Sequence, residues 1–100
     1  MTININGTSR QSALEMSYDG LVAVFGEPDV FGSADGKTQV EWRRQTPEGT
    51  VFSIYDYKAQ THYTENTFWN VGGYDFDASL AAGRLIEQCL AVIATQEARV

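Results

Sequence analysis

Apolar and polar residues alternate along Thr2-Ile3-Asn4-Ile5-Asn6, and Asn6-Gly7 is the pair that most readily takes the positive φ angles of a tight hairpin turn. Leu14 and Met16 resume the period of two, so a first β-hairpin is expected. The period then lengthens. Tyr18, Leu21, Val22 and Phe25 stand at i, i+3, i+4 and i+7, a single helical stripe, behind Ser17 and Asp19 as helix-starting residues. Gly26 and Pro28 close it, because glycine accepts the left-handed end of a helix and proline cannot continue one.

Glu27 to Gly36 is rich in turn residues and is expected as a loop, from which Asp35-Gly36 returns the chain to an extended run with Val40 and Trp42 alternating against Gln39, Glu41 and Arg43. Thr46-Pro47-Glu48-Gly49 places proline and glycine where a type I turn favours them. The partner strand, Thr50 to Lys58, is apolar on both faces: Phe52 and Ile54 point one way, and Val51, Tyr55 and Tyr57 the other. One of those faces has to meet something besides the main core. Ala59 to Asn66 has no clear period, and Phe68-Trp69-Asn70-Val71 is a short strand expected to end at Gly72-Gly73.

From Asp77 the pattern becomes helical, with Asp75 or Asp77 as cap and Ala82, Leu85, Ile86, Cys89 and Ile93 as the stripe. Gly83 inside it is expected to permit close packing on the sheet, since an interior glycine costs roughly 1 kcal/mol relative to alanine. The expected architecture is one α+β domain over residues 1–100, a five-stranded, mainly antiparallel sheet in the order β-β-α-β-β-β-α with both helices on one face.

Composition narrows the classes of function. The 100 residues are 43% hydrophobic and 20% charged, enough for one core. A net charge of -6 repels a phosphate backbone over most of the surface, so no direct nucleic-acid partner is expected. Cys89 has no second cysteine to pair with and reads as a small buried hydrophobe. Met1 to Gly7 has no basic stretch leading into an apolar run, and no segment reaches the ~18 consecutive apolar residues of a membrane span. A cytoplasmic protein without a membrane partner is expected.

The catalytic inventory is thin. His62 is the only histidine and lies in a polar loop without an acidic or cysteine partner at recognisable spacing. Pro28-Asp29 followed by Glu41-Trp42-Arg43 superficially resembles the aspartate and Glu-x-Lys arrangement of metal-dependent nucleases, with arginine where lysine belongs. Gly72-Gly73 ahead of a helix could offer backbone amides to an anion, but Asp75 and Asp77 already occupy the positive end of that helix. Neither a catalytic residue nor a cofactor or metal site is assigned. What remains is aromatic and basic: Trp42, Tyr55, Tyr57, Tyr63 and Trp69, with Arg43, Arg44 and Lys58 near them in sequence. Both tryptophans also suit the core. Tyrosine, tryptophan and arginine dominate interface energetics, and Arg43, Tyr55, Tyr57, Lys58 and Trp69 are the expected partner-binding residues.

Ile54-Tyr55-Asp56-Tyr57-Lys58 and Trp69-Asn70-Val71-Gly72-Gly73, preceded by Gly26-Glu27-Pro28 and the run from Asp35 to Trp42, resemble a group of small uncharacterised bacteriophage proteins over roughly residues 17 to 75. Ile5-Asn6-Gly7 with Met16 to Val22 is similar to the opening of bacterial ubiquitin-like domains of β-grasp fold. The phage resemblance implies an accessory protein in the host cytoplasm that blocks or sequesters a host protein, such as a component of a defence system, without catalysis. Two alternatives stay open: a nucleotide or small-molecule sponge with aromatic rings on a base and Arg43, Arg44 or Lys58 on the phosphates, and a homodimer or larger structural oligomer through Val51, Tyr55 and Tyr57.

Overall fold

A computed structural model describes the backbone of residues 3–98 and the side chains of residues 3–91. The elements run β1 (Ser9–Glu15), α1 (Tyr18–Phe25), β2 (Val30–Phe31), β3 (Val40–Gln45), β4 (Val51–Tyr55), a 3₁₀ turn (Tyr63–Glu65), β5 (Phe68–Gly73) and α2 (Asp77–Ala98). The five strands form one sheet in the spatial order β1-β5-β4-β3-β2, antiparallel throughout. The α+β class with a five-stranded sheet is as the sequence predicts, but the element order is β-α-β-β-β-β-α.

The difference lies at two places. The Asn6-Gly7 turn forms, with Thr8 N–H donating to Ile5 C=O at 3.1 Å and Gly7 at φ 86, but residues 3–5 before it join no strand. β1 pairs instead with β5, because Leu14 and Trp69 stand opposite each other and bury on the same face. The missing strand is found in the segment expected as a loop: Val30 and Phe31 pair with Glu41 and Val40, and the ladder continues through Gly32 N–H to Gln39 C=O at 2.7 Å. Two residues are too short to leave a period in the sequence.

One face of the sheet carries the core. Val40 and Trp42 of β3, Phe52 and Ile54 of β4, and Trp69 and Val71 of β5 meet Leu21 of α1 and Ala78, Ala81 and Ala82 of α2. Trp42 and Trp69 pack edge to face with ring centroids 5.4 Å apart. Each buried indole also has its N–H satisfied, Trp42 by the carbonyl of Gly26 at 2.8 Å and Trp69 by that of Met16 at 2.9 Å. These two bonds tie both ends of α1 to the sheet. The helix itself starts at Ser17, whose hydroxyl accepts from Gly20 N–H at 3.0 Å, and stops at Gly26, whose N–H donates to Val22 C=O at 2.8 Å.

Glycines govern how closely α2 and the open side approach β5. Gly72 and Gly73 continue the strand, where the sequence suggests its end, because the ladder to β1 and β4 runs through them. A Cβ on Gly73 would lie 2.2 Å from the Cβ of Ala78, so α2 sits against bare backbone there. Gly83 does the opposite of what its position predicts: it is exposed, with nothing within 4 Å of a Cβ. The buried stripe of α2 is Ala78, Ala81 and Ala82, whereas Leu85 is 37% exposed and Ile93 lies outside the described side chains. No described helix is long and apolar enough to cross a membrane.

Candidate binding face

The alternation that sends Trp42, Ile54 and Trp69 to the helices sends their neighbours to the opposite side. The strand pairs Glu41–Tyr55, Arg43–Ser53, Tyr55–Asn70, Ser53–Gly72 and Arg10–Gly72 place these residues on the helix-free face. Tyr57 follows β4 and is 48% exposed, and Phe68 at the far end of β5 is 51% exposed. Of the residues the sequence proposes for binding, Arg43, Tyr55, Tyr57 and Lys58 come together on or beside this face. Trp69 does not: it is 0% exposed, and its neighbours Trp42 and Leu14 on the same side explain why. Trp69 is a core residue.

Arg43 is bound to Glu41, Nε to Oε1 at 2.6 Å. Tyr55 is half-buried, with its ring over Gly72, where a Cβ would meet Tyr55 Cε1 at 3.2 Å and Ser53 Oγ at 2.7 Å. Burial pushes the Tyr55 phenol above its ordinary 10.0; Arg10 pulls it down, and Glu41 and Tyr57 push it further up. Arg10, which sequence reasoning passed over, donates from Nε to Asn70 Oδ1 at 2.7 Å. Its place on this face depends on an extra residue, Gln11, that breaks the register between Arg10 and Ser12. Lys58 has φ 52 and places its ammonium 5.4 Å from the Tyr57 ring centroid.

The end of β4 is fixed from within. Asp56 is fully buried and accepts from the backbone N–H of Gln39 at 2.9 Å and of Val40 at 2.9 Å. Lys58 N–H donates to Lys37 C=O at 2.7 Å on the same connection. Tyr57 and Lys58 are therefore carried on a braced turn.

The segment before β1 folds back toward this face. Ile5 joins Val30, Thr38, Glu41 and Arg43 around a hollow of about 360 Å³, and Tyr74 donates its hydroxyl to Asn4 C=O at 3.0 Å. Ser53 is only 3% exposed although no helix lies above it.

The other candidate sites dissolve on inspection of their partners. Asp29 accepts from Arg43 N–H at 2.7 Å and from the Arg44 guanidinium, and Glu41 is taken by Arg43. Arginines thus occupy the two carboxylates of the nuclease-like motif. Among the described residues no three His, Cys, Asp or Glu side chains gather as a metal site. Gly72-Gly73 form the last two positions of β5, paired in the ladder, and not a loop before a helix. His62 stacks on Tyr63 with centroids 4.3 Å apart and accepts from Thr64 N–H through Nδ1 at the start of the 3₁₀ turn. Cys89 is half-buried, with Sγ 3.8 Å from Ala23 C=O. The chain matches no protein-family model, no curated protein and no solved structure.

Proposed function

We propose that this protein is a non-catalytic binding module of the phage-accessory kind, which blocks or sequesters a host protein through the helix-free face of its sheet. The observation that carries the reading is the cluster of Arg10, Arg43, Tyr55, Tyr57 and Lys58 on or beside the face that neither helix covers. Tyrosine and arginine bury large contact area at modest cost in side-chain entropy, and an extended sheet face presents them in fixed positions. The two carboxylates nearest to a catalytic pattern are held by arginines, which supports binding over chemistry.

The test is capture from host lysate on immobilised protein, wild type beside Tyr55→Ala/Tyr57→Ala. A host protein retained by the wild type and lost from the double variant supports the reading. Retention unchanged by the substitutions, or no retention at all, removes it.

A further inference from the structure

Resting on that assignment of the face, we infer that the segment it receives is acidic: an extended stretch of protein whose carboxylates are taken up by Arg10 and Lys58 to either side of Tyr55 and Tyr57.

The chain has thirteen Asp and Glu against seven Lys and Arg. Arg43 pairs with Glu41 and Arg44 with Asp29. Lys37 and Arg84 act on Asp35 and Glu48, whose carboxyls sit below the usual range, chiefly through hydrogen bonds to Ser33 and to the Glu48 backbone respectively. Arg10, Lys37, Lys58 and Arg84 make no ion pair among the described residues, and of these Arg10 and Lys58 stand on or beside the helix-free face. Both are nonetheless held. Arg10 is aimed by the neutral amide of Asn70, and Lys58 by the face of Tyr57; each contact fixes direction and leaves the charge uncancelled. A preorganised, uncompensated cation is what a carboxylate ligand requires.

The spacing sets the length of the ligand. Arg10 lies two strands from β4, and Tyr57 four residues beyond the Ser53 level. At ~4.8 Å between strands and ~3.3 Å per residue the cations bracket roughly 16 Å, which about five extended residues span. Glu41, which stands opposite Tyr55 on this face, is taken by Arg43 and does not compete for the two cations. A long polyphosphate chain, by contrast, feels the whole charge of -6.

Fluorescence anisotropy on the full chain tests this with a labelled ten-residue peptide of alternating Glu and Leu, beside the same peptide with Lys for Glu and an oligothymidylate of equal length. The Glu peptide is expected to bind, to weaken as salt rises, and to weaken about tenfold or more for Arg10→Glu/Lys58→Glu. Arg10→Gln/Lys58→Gln, which removes charge without reversing it, is expected to fall between the two and serves if the reversal fails to fold. Absence of binding by the Glu peptide, equal binding by the charge variants, or tighter binding of the Lys peptide or the oligonucleotide overturns the inference. In lysate capture, a host protein held equally by wild type and charge variants overturns the acidic assignment and leaves the docking face standing. A wild-type chain that holds nothing overturns both.

Discussion

The ring of Tyr55 crosses the bare backbone of Gly72 on the neighbouring strand, so closely that a Cβ at Gly72 would stand 3.2 Å from Tyr55 Cε1. The glycine is therefore a seat for the tyrosine, and it sets the height at which the phenol is offered. Gly72→Ala is expected to cost about 1–3 kcal/mol and to tilt Tyr55, while Gly73→Ala, which meets Ala78 and cannot be relieved by a side-chain rotation, is expected to cost more. Urea denaturation midpoints rank the two; equal midpoints would contradict the account of Gly73 as the contact for α2.

Asp56 supplies the second prediction. Its buried carboxylate accepts three hydrogen bonds from the backbone N–H groups of Gln39 and Val40, at 2.9, 3.1 and 2.9 Å. Asp56→Ala leaves those amides unpaired where water is excluded, and about 3 kcal/mol of stability is expected to go with it. Asp56→Asn is expected to lose part of that, because an amide offers one acceptor oxygen in place of two. Hydrogen exchange at the amides of Gln39 and Val40 should accelerate in both.

Tyr55 gives a pH dependence with a definite sign. Its phenol is raised above 10.0 in the folded chain, so above that value the unfolded chain gives up its proton first and stability falls as pH rises through the folded value. Below pH 10 the contribution is fully present. Tyr55→Phe should flatten the alkaline decline, read as melting temperature against pH. Arg10→Ala should move the phenol still higher, because Arg10 pulls it down, and absorbance at alkaline pH reports that shift.

Surface and core separate within the same sheet. Arg43 is partly exposed and its guanidinium pairs with the largely covered Glu41, so Arg43→Ala is expected to cost about 1–2 kcal/mol. Trp69→Ala is expected to cost about 3–5 kcal/mol, since the indole is fully enclosed and its N–H holds Met16. A calorimetric scan of both variants checks the contrast: a large loss at Arg43 would mean that its side chain props the sheet.

The sequence already showed where local chemistry decides structure. Ser17 and Gly26 bound α1 as their side-chain and backbone preferences require, and the period of two in Val40 and Trp42 found β3. Non-local pairings stayed hidden. β1 is chosen by Leu14 opposite Trp69, 55 residues away in sequence with no local signal to join them, and β2 is too short for a period. That Tyr55, Tyr57, Lys58 and Arg43 gather on or beside one face was legible because the run Thr50 to Lys58 carries apolar residues on both sides. Arg10 was not, because its membership of the face depends on Gln11 slipping the register by one.

Both margins of the sheet bear on how the protein behaves when crowded. On one side β2 offers a second molecule a ladder of two residues, and on the other the kink at Gln11 spoils the straight run along β1. Copies meeting side by side at high concentration find no long rail on which to lengthen the sheet. Filament growth through the sheet edges is discouraged at its first step.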